Sequence, residues 1–185
     1  MIVRVAFVAC AALAACTPPR APVVPSVTLQ ATDGASVPLD AVVHSHRLTV
    51  ITFFSADCPC QRAHDERLRA LEAKDASRDV AFVVVDSEAH ATLEQDAAEA
   101  RLRGYAIVQD DGGALARALD AEYATFTVVV DRGGHVVYRG GFDSDRSHLK
   151  EDRTPYLEDA LDDLLAGRPP RVAATKTLGC TLQLR

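Results

Sequence analysis

Two unbroken runs of β-branched and aromatic residues constrain this chain more than any other feature. Residues 47–54 read RLTVITFF and residues 80–85 read VAFVVV. Beyond Arg47 neither run contains a charge, a glycine or a proline, so each suits a strand buried on both faces. Between them, residues 61–74 are rich in Arg, Glu, Leu and Ala and predict a helix. The alternation continues. A strand is expected over 27–31, with a short second arm at 36–39. A helix is expected over 92–103, stopped by Gly104, then a short strand at 105–108 and a helix at 114–121. A hairpin spans 125–130 and 135–139 around Asp131-Arg132-Gly133-Gly134. A last helix over 155–166 takes Thr154 as its cap and Pro155 as its first residue. Its Leu157, Ala160, Leu161, Leu164 and Leu165 follow helical spacing. Strand and helix in alternation predict an α/β fold with helices on both faces of one sheet.

Composition narrows the chemistry. Apolar residues make up 48% and charged residues 25% of the 185, which is globular and excludes a disordered or polytopic chain. The formal net charge of −6 offers no basic face for nucleic acid. With 5% aromatic residues and no Trp, a base- or sugar-stacking platform is not expected. Gly112-Gly113 and Gly133-Gly134 lack phosphate-loop spacing, and no hydrolase elbow or zinc-protease motif is present, so no cofactor is expected.

The first residues read as an address. One charge, Arg4, precedes an apolar run over 5–15, too short to span a bilayer but suited to a leader. It ends Leu13-Ala14-Ala15-Cys16, which looks like a bacterial lipobox. That resemblance implies a signal peptide over 1–15, lipidation of Cys16, and attachment at the extracytoplasmic (periplasmic) side of a membrane. Residues 17–25, TPPRAPVVP, suit a semi-rigid spacer between Cys16 and a domain over 26–185.

The segment FFSADCPC at 53–60 resembles the thioredoxin-like superfamily, in which a strand feeds a cysteine turn at the start of a helix. The hairpin TVVVDRGGHVVYRGGFD at 127–143 resembles that of extracytoplasmic redoxins of the AhpC/TSA group. The ending YLEDALDDLLAGRPPRVAATKTLGCTL at 156–182 is similar to a redoxin subgroup with a Gly-Cys tail. The resemblance implies a thioredoxin-like fold, a mixed central sheet flanked by helices. It also implies thiol–disulfide exchange with protein thiols or disulfides, or with a reductant. Cys58 takes the place of the family's nucleophile. The turn is C-P-C rather than C-x-x-C, so the family's second cysteine falls on Gln61. Asp57 replaces the usual Trp, and Thr125 or a neighbour replaces the usual Pro before the hairpin. Ser55 partly meets the peroxiredoxin pattern of a hydroxyl three residues before the cysteine.

Of the five cysteines, Cys10 leaves with the leader and Cys16 is the lipidation site. Cys58, Cys60 and Cys180 remain as the catalytic candidates. A helix N-terminus stabilises a thiolate, which favours Cys58 as nucleophile, while Asp57 opposes it by like charge. Either Cys60 or Cys180, the latter on an irregular tail, is available to resolve the bond. A peroxide-reducing route would take Cys58 through sulfenic acid. A carrier for Cu(I) or Zn would use Cys58, Cys60 and His64, with Cys180 as a further ligand. Sco-type copper chaperones share the fold, but their C-x-x-x-C spacing is absent. His44 and His46 read as loop residues, and His90 and His148 as solvated. Asp143, Asp145, Glu151 and Asp152 read as a solvated acidic loop without calcium-loop spacing.

Overall fold

The computed structural model describes residues 22–184. The expected leader over 1–15 and the expected lipidation site Cys16 lie outside them. The elements run β1 (Thr28–Ala31), β2 (Ser36–Pro38), α1 (Leu39–Ser45), β3 (Leu48–Phe54), α2 (Pro59–Asp75), β4 (Val80–Asp86), α3 (Leu93–Arg103), β5 (Ile107–Gln109), α4 (Ala114–Ala118), β6 (Thr127–Asp131), β7 (Val136–Gly140) and α5 (Tyr156–Leu165). The strands form one mixed sheet in the order β2-β1-β5-β4-β3-β6-β7. β3 runs parallel to β4, from Leu48↔Val80 to Phe54↔Asp86, and antiparallel to β6.

All seven residues of β3 are buried, as its unbroken apolar run predicts. The pleat divides them between two cores. Ile51 and Phe53 pack with Leu39 and Val43 of α1 and Leu115 and Ala116 of α4. Leu48, Val50 and Phe54 pack with Leu68 and Leu71 of α2 and Leu157 and Leu161 of α5. Full burial of each such leucine stabilises the fold by about 1.5–3 kcal/mol. Helices therefore cover both faces, as expected.

Several boundaries differ from the sequence reading. Residues 39–45 form a helix instead of a loop, so His44 lies in its last turn and His46 caps it. The segment carries Val42-Val43 and no side-chain cap, which hides it from propensity arguments. Leu39 and Val43, one turn apart and both buried, hold it to the sheet. β6 begins at Thr127 because Thr125 has φ 70°, a left-handed conformation incompatible with a strand. α4 stops at Ala118, just before Asp120 at φ 53°. Pro155 stands at the N-cap of α5 with no side-chain cap bond, so Tyr156 is the first helical residue. Residues 22–24, inside the expected spacer, already pair with the hairpin: Val23 bridges His135, and Val24 N–H donates to Gly134 O at 2.9 Å.

Candidate three-cysteine site

The site sits where β3 turns into α2. Cys58 is the N-cap of α2 and Pro59 its first residue, whose missing N–H costs nothing at that position. The Gln61 amide donates to Cys58 Sγ at 3.5 Å, so the sulfur occupies the place of a capping oxygen. Cys60 follows in the first turn. Cys180 arrives from the far end of the chain, because Ala124 N–H donates to Cys180 O at 2.8 Å and Tyr123 bridges Thr181. The irregular tail is thus a pinned segment.

All three cysteines are free thiols, and their sulfurs lie within 4.8 Å of one another. Cys58 is 0% and Cys60 2% exposed, while Cys180 is partly exposed. Burial, a hydrogen bond with Cys58 and the charges of Cys58 and Cys60 push the Cys180 thiol up to about 12. Cys180 therefore meets Cys58 as a protonated thiol at neutral pH.

His64 lies beside Cys60 but does not face the sulfurs as a free ligand. Its Nδ1 lies 2.8 Å from Cys60 O and its Nε2 lies 3.0 Å from Asp143 Oδ1. Both partners only accept, so the ring donates from both nitrogens. Burial pulls the His64 pKa down, but the bonds to Asp143 and Cys60 outweigh it and leave the value raised. The expectation of His64 as a metal ligand is corrected on this ground. The acidic loop is corrected too. Asp143 and Asp145 are buried, and Arg67 Nη1 donates to them at 2.6 and 2.9 Å. Burial raises Asp143, yet the bonds from His64, the Asp145 amide and Arg67 hold it below the ordinary range. Glu151 and Asp152 remain exposed, as do His90 and His148.

A second buried group clamps the turn. Arg103, 3% exposed, donates to Asp65 Oδ2 at 2.7 Å and to Ala56 O at 3.1 Å, with its guanidinium 5.0 Å from the centre of the Phe54 ring. Gln61, at the place of the family's second cysteine, is buried and donates to Tyr105 OH at 3.4 Å. Asp57 is exposed and lines a cavity of about 220 Å³ with Asp86, Glu88, His90 and Asp96. Sequence reasoning missed Arg67 and Arg103 as parts of this neighbourhood. The one local hint was the i, i+3 spacing of His64 and Arg67 on the helix.

Comparison with known proteins places this geometry. The Redoxin family model matches residues 20–154. No curated protein matches the chain. An uncharacterized conserved protein from Geobacillus kaustophilus superposes with a TM-score of 0.82 at 27% identity, covering 92% of this chain and 94% of its own. A hypothetical protein from Sinorhizobium meliloti 1021 gives 0.82 at 23% identity, with 91% and 96% covered. A thiol:disulfide interchange protein from Chlorobium tepidum TLS gives 0.54 at 19%, with 65% and 85% covered. The mixed sheet with its cysteine turn at the head of α2 is thus a thioredoxin-like fold, and the chain belongs to the redoxin family.

Proposed function

We propose that the protein is a thiol–disulfide oxidoreductase in which Cys58 is the nucleophile and Cys60 or Cys180 resolves the bond. The observation that carries this reading is the mutual approach of three sulfurs within 4.8 Å at a helix N-terminus. The helix end favours negative charge on Cys58, and the Gln61 amide already points at its sulfur. The Cys58 thiolate attacks one sulfur of a partner disulfide. That S–S bond breaks, and the departing partner thiolate takes a proton. A mixed disulfide now joins Cys58 to the partner. A second thiol, deprotonated, then attacks Cys58 Sγ and expels the partner's remaining sulfur, which is protonated in turn. The partner ends as two thiols, and the protein carries the disulfide. The reverse sequence oxidises a dithiol. The Leu13-Ala14-Ala15-Cys16 motif adds lipid attachment of Cys16 at the extracytoplasmic face of a membrane, a setting in which disulfides persist.

The test is reduction of a model protein disulfide, with the oxidised protein mapped by mass spectrometry. The wild type should accumulate a bond from Cys58 to Cys60 or Cys180, and Cys58→Ser should turn over no substrate while remaining folded. Turnover by that variant would remove Cys58 from its role. Labelling with a radioactive fatty acid, abolished in Cys16→Ala, checks the anchor.

A second reading rests on the same sulfurs. Three sulfurs bonded to one ion at about 2.3 Å stand about 3.8–4.0 Å apart, so Cys58, Cys60 and Cys180, within 4.8 Å of one another, would form a trithiolate site by drawing together by at most about 1 Å. Three soft donors would hold Cu(I) or Zn, with Cys180 taking the place expected of His64. Stoichiometric Cu(I) retained by the reduced protein, and lost in Cys180→Ser but not in His64→Gln, would support the carrier.

A further inference from the structure

The last residues cross the cysteine turn as a strap. Upstream, Thr175 Oγ1 lies 2.9 Å from Tyr138 OH and accepts from Gly141 N–H at 3.0 Å. Downstream, Ala89 N–H donates to Gln183 O at 2.7 Å. Between these ties the strap runs as one short antiparallel strand along Glu122–Ala124. Ala124 N–H donates to Cys180 O, and Leu182 N–H donates to Glu122 O at 2.9 Å, flanking the Tyr123↔Thr181 pair. Its side chains alternate as on a half-buried strand. Cys180 and Leu182 turn inward, with Leu182 5% exposed, and Thr181 and Gln183 face solvent. Gly179 packs so closely on Ala124 O that a Cβ there would overlap it.

Without the strap, Ala124 N–H and Glu122 O would stand unpaired beside Cys58. They would form a strand edge next to a nucleophile, with an apolar seat where Leu182 now sits. With the strap in place Cys58 and Cys60 are sealed, so a folded partner's sulfur has no approach to Cys58. The strap also delivers a cysteine to Cys58 within 4.8 Å, the service a partner strand would have to perform.

We propose that residues 178–184 are a resident pseudo-substrate, which fills the strand position along Glu122–Ala124 that an extended, cysteine-bearing segment of a partner protein takes, and must leave it before Cys58 reacts. This rests on the redox reading above. The partner's strand replaces the strap by β-augmentation, with a small residue before its cysteine and an apolar residue two after it, as in Gly179-Cys180-Thr181-Leu182. The partner cystine is attacked by Cys58 and reduced as already written. With Cys180 displaced, Cys60 is the resolving thiol on this route, and the strap then re-seats.

The test uses the full chain. Leu182→Asp and Gly179→Val should free the strap, seen as faster amide exchange at Leu182, and should speed alkylation of Cys58 about tenfold or more. A synthetic peptide of the 177–184 sequence, its cysteine activated as a thionitrobenzoate disulfide, should be captured on Cys58 of these variants in a Cys60→Ser, Cys180→Ser background, where no second thiol reacts with it or expels it. Its counterpart with Asp at the Leu182 position should be captured about tenfold more slowly. If the freed strap leaves Cys58 alkylation unchanged, or the two peptides react alike, the seat does not exist. The wild type gives a check free of folding effects. Cys58 alkylation should follow strap opening, and a rate that follows global unfolding overturns the proposal. The Cys→Ser form of the peptide should re-protect the Ala124 amide in Leu182→Asp. That binding is independent of any redox step, so its loss condemns the seat alone. Failure of Cys58 to form a disulfide with glutathione disulfide in Leu182→Asp carrying Cys60→Ser and Cys180→Ser condemns the redox reading instead.

Discussion

His64 Nε2 lies 3.0 Å from Asp143 Oδ1, joining the first turns of α2 to the loop after β7 across 79 residues of chain. Both groups are buried, and the histidine also holds the carbonyl of Cys60. The pair therefore fixes the backbone next to the reactive turn.

The pH dependence of stability follows from the directions of the two shifts. His64 is raised, so its contribution is fully present below its unfolded value, about 6.5, and fades as pH rises through the folded value. Asp143 is lowered, so its contribution is present above its unfolded value and is lost as pH falls through the folded one. His64→Ala leaves Asp143 buried without this partner and should cost about 3–5 kcal/mol near pH 5.5. The cost should shrink as pH rises through the raised folded value of His64. Thermal unfolding of both proteins across a pH series checks this, and a loss that does not change with pH would contradict it.

The three sulfurs make the resolving role redundant. Cys60→Ser should still form a Cys58–Cys180 bond, and Cys180→Ser a Cys58–Cys60 bond. The double variant should stall as a mixed disulfide on Cys58. Peptide mapping after oxidation distinguishes these products. In the reduced protein, alkylation of Cys180 should climb with pH without a plateau up to pH 10, because its thiol is pushed up to about 12. A plateau at or below the ordinary thiol range would show that burial and the neighbouring sulfurs do not raise it.

Asp86 and Asp96 form a buried pair beside the cavity that Asp57 lines. Burial, above all, pushes Asp86 up to about 8, and the charge of Asp96 adds to it. Burial raises Asp96 as well. A raised carboxyl stabilises the fold at low pH and loses that contribution as pH rises through the folded value. Asp96→Asn should therefore raise the melting temperature, with a gain that grows between pH 4 and pH 8. Parallel melting curves for wild type and variant would refute the pairing.

Arg103 is the other element of the turn that should not tolerate change. Truncation to Ala strands Asp65 and frees Ala56 O, for a cost of about 3–5 kcal/mol. Arg103→Lys should recover only part of this, since a single ammonium does not reproduce the planar fork that reaches Asp65, Glu99 and Ala56 together. Urea unfolding of the three proteins measures it, and full rescue by Lys would mean that charge alone matters.

The strands and most helices were legible because their causes are local. An unbroken run such as that in β3, or a capped segment such as α3 with Thr92 before it and Gly104 after it, carries its own signal. α1 was not legible. Its stability comes from Leu39 and Val43 against the sheet, and sheet contacts have no signature in seven residues of sequence. The cysteines could be named as candidates from their spacing and from the resemblance of the turn. Their company could not be read, nor could the employment of His64 and Asp143 by each other.

The sequence by itself determined the alternating architecture, the turn that places Cys58 at the head of a helix, and the identity of the three thiols. Tertiary structure alone decided that Cys180 meets Cys58 and Cys60, that His64 is spent on Asp143, and that the tail seals the turn. The physical reason is range. Periodicity and capping act over a few residues, whereas a sulfur brought from position 180 to position 58 depends on backbone bonds to Ala124 and Glu122 that exist only after the sheet has formed.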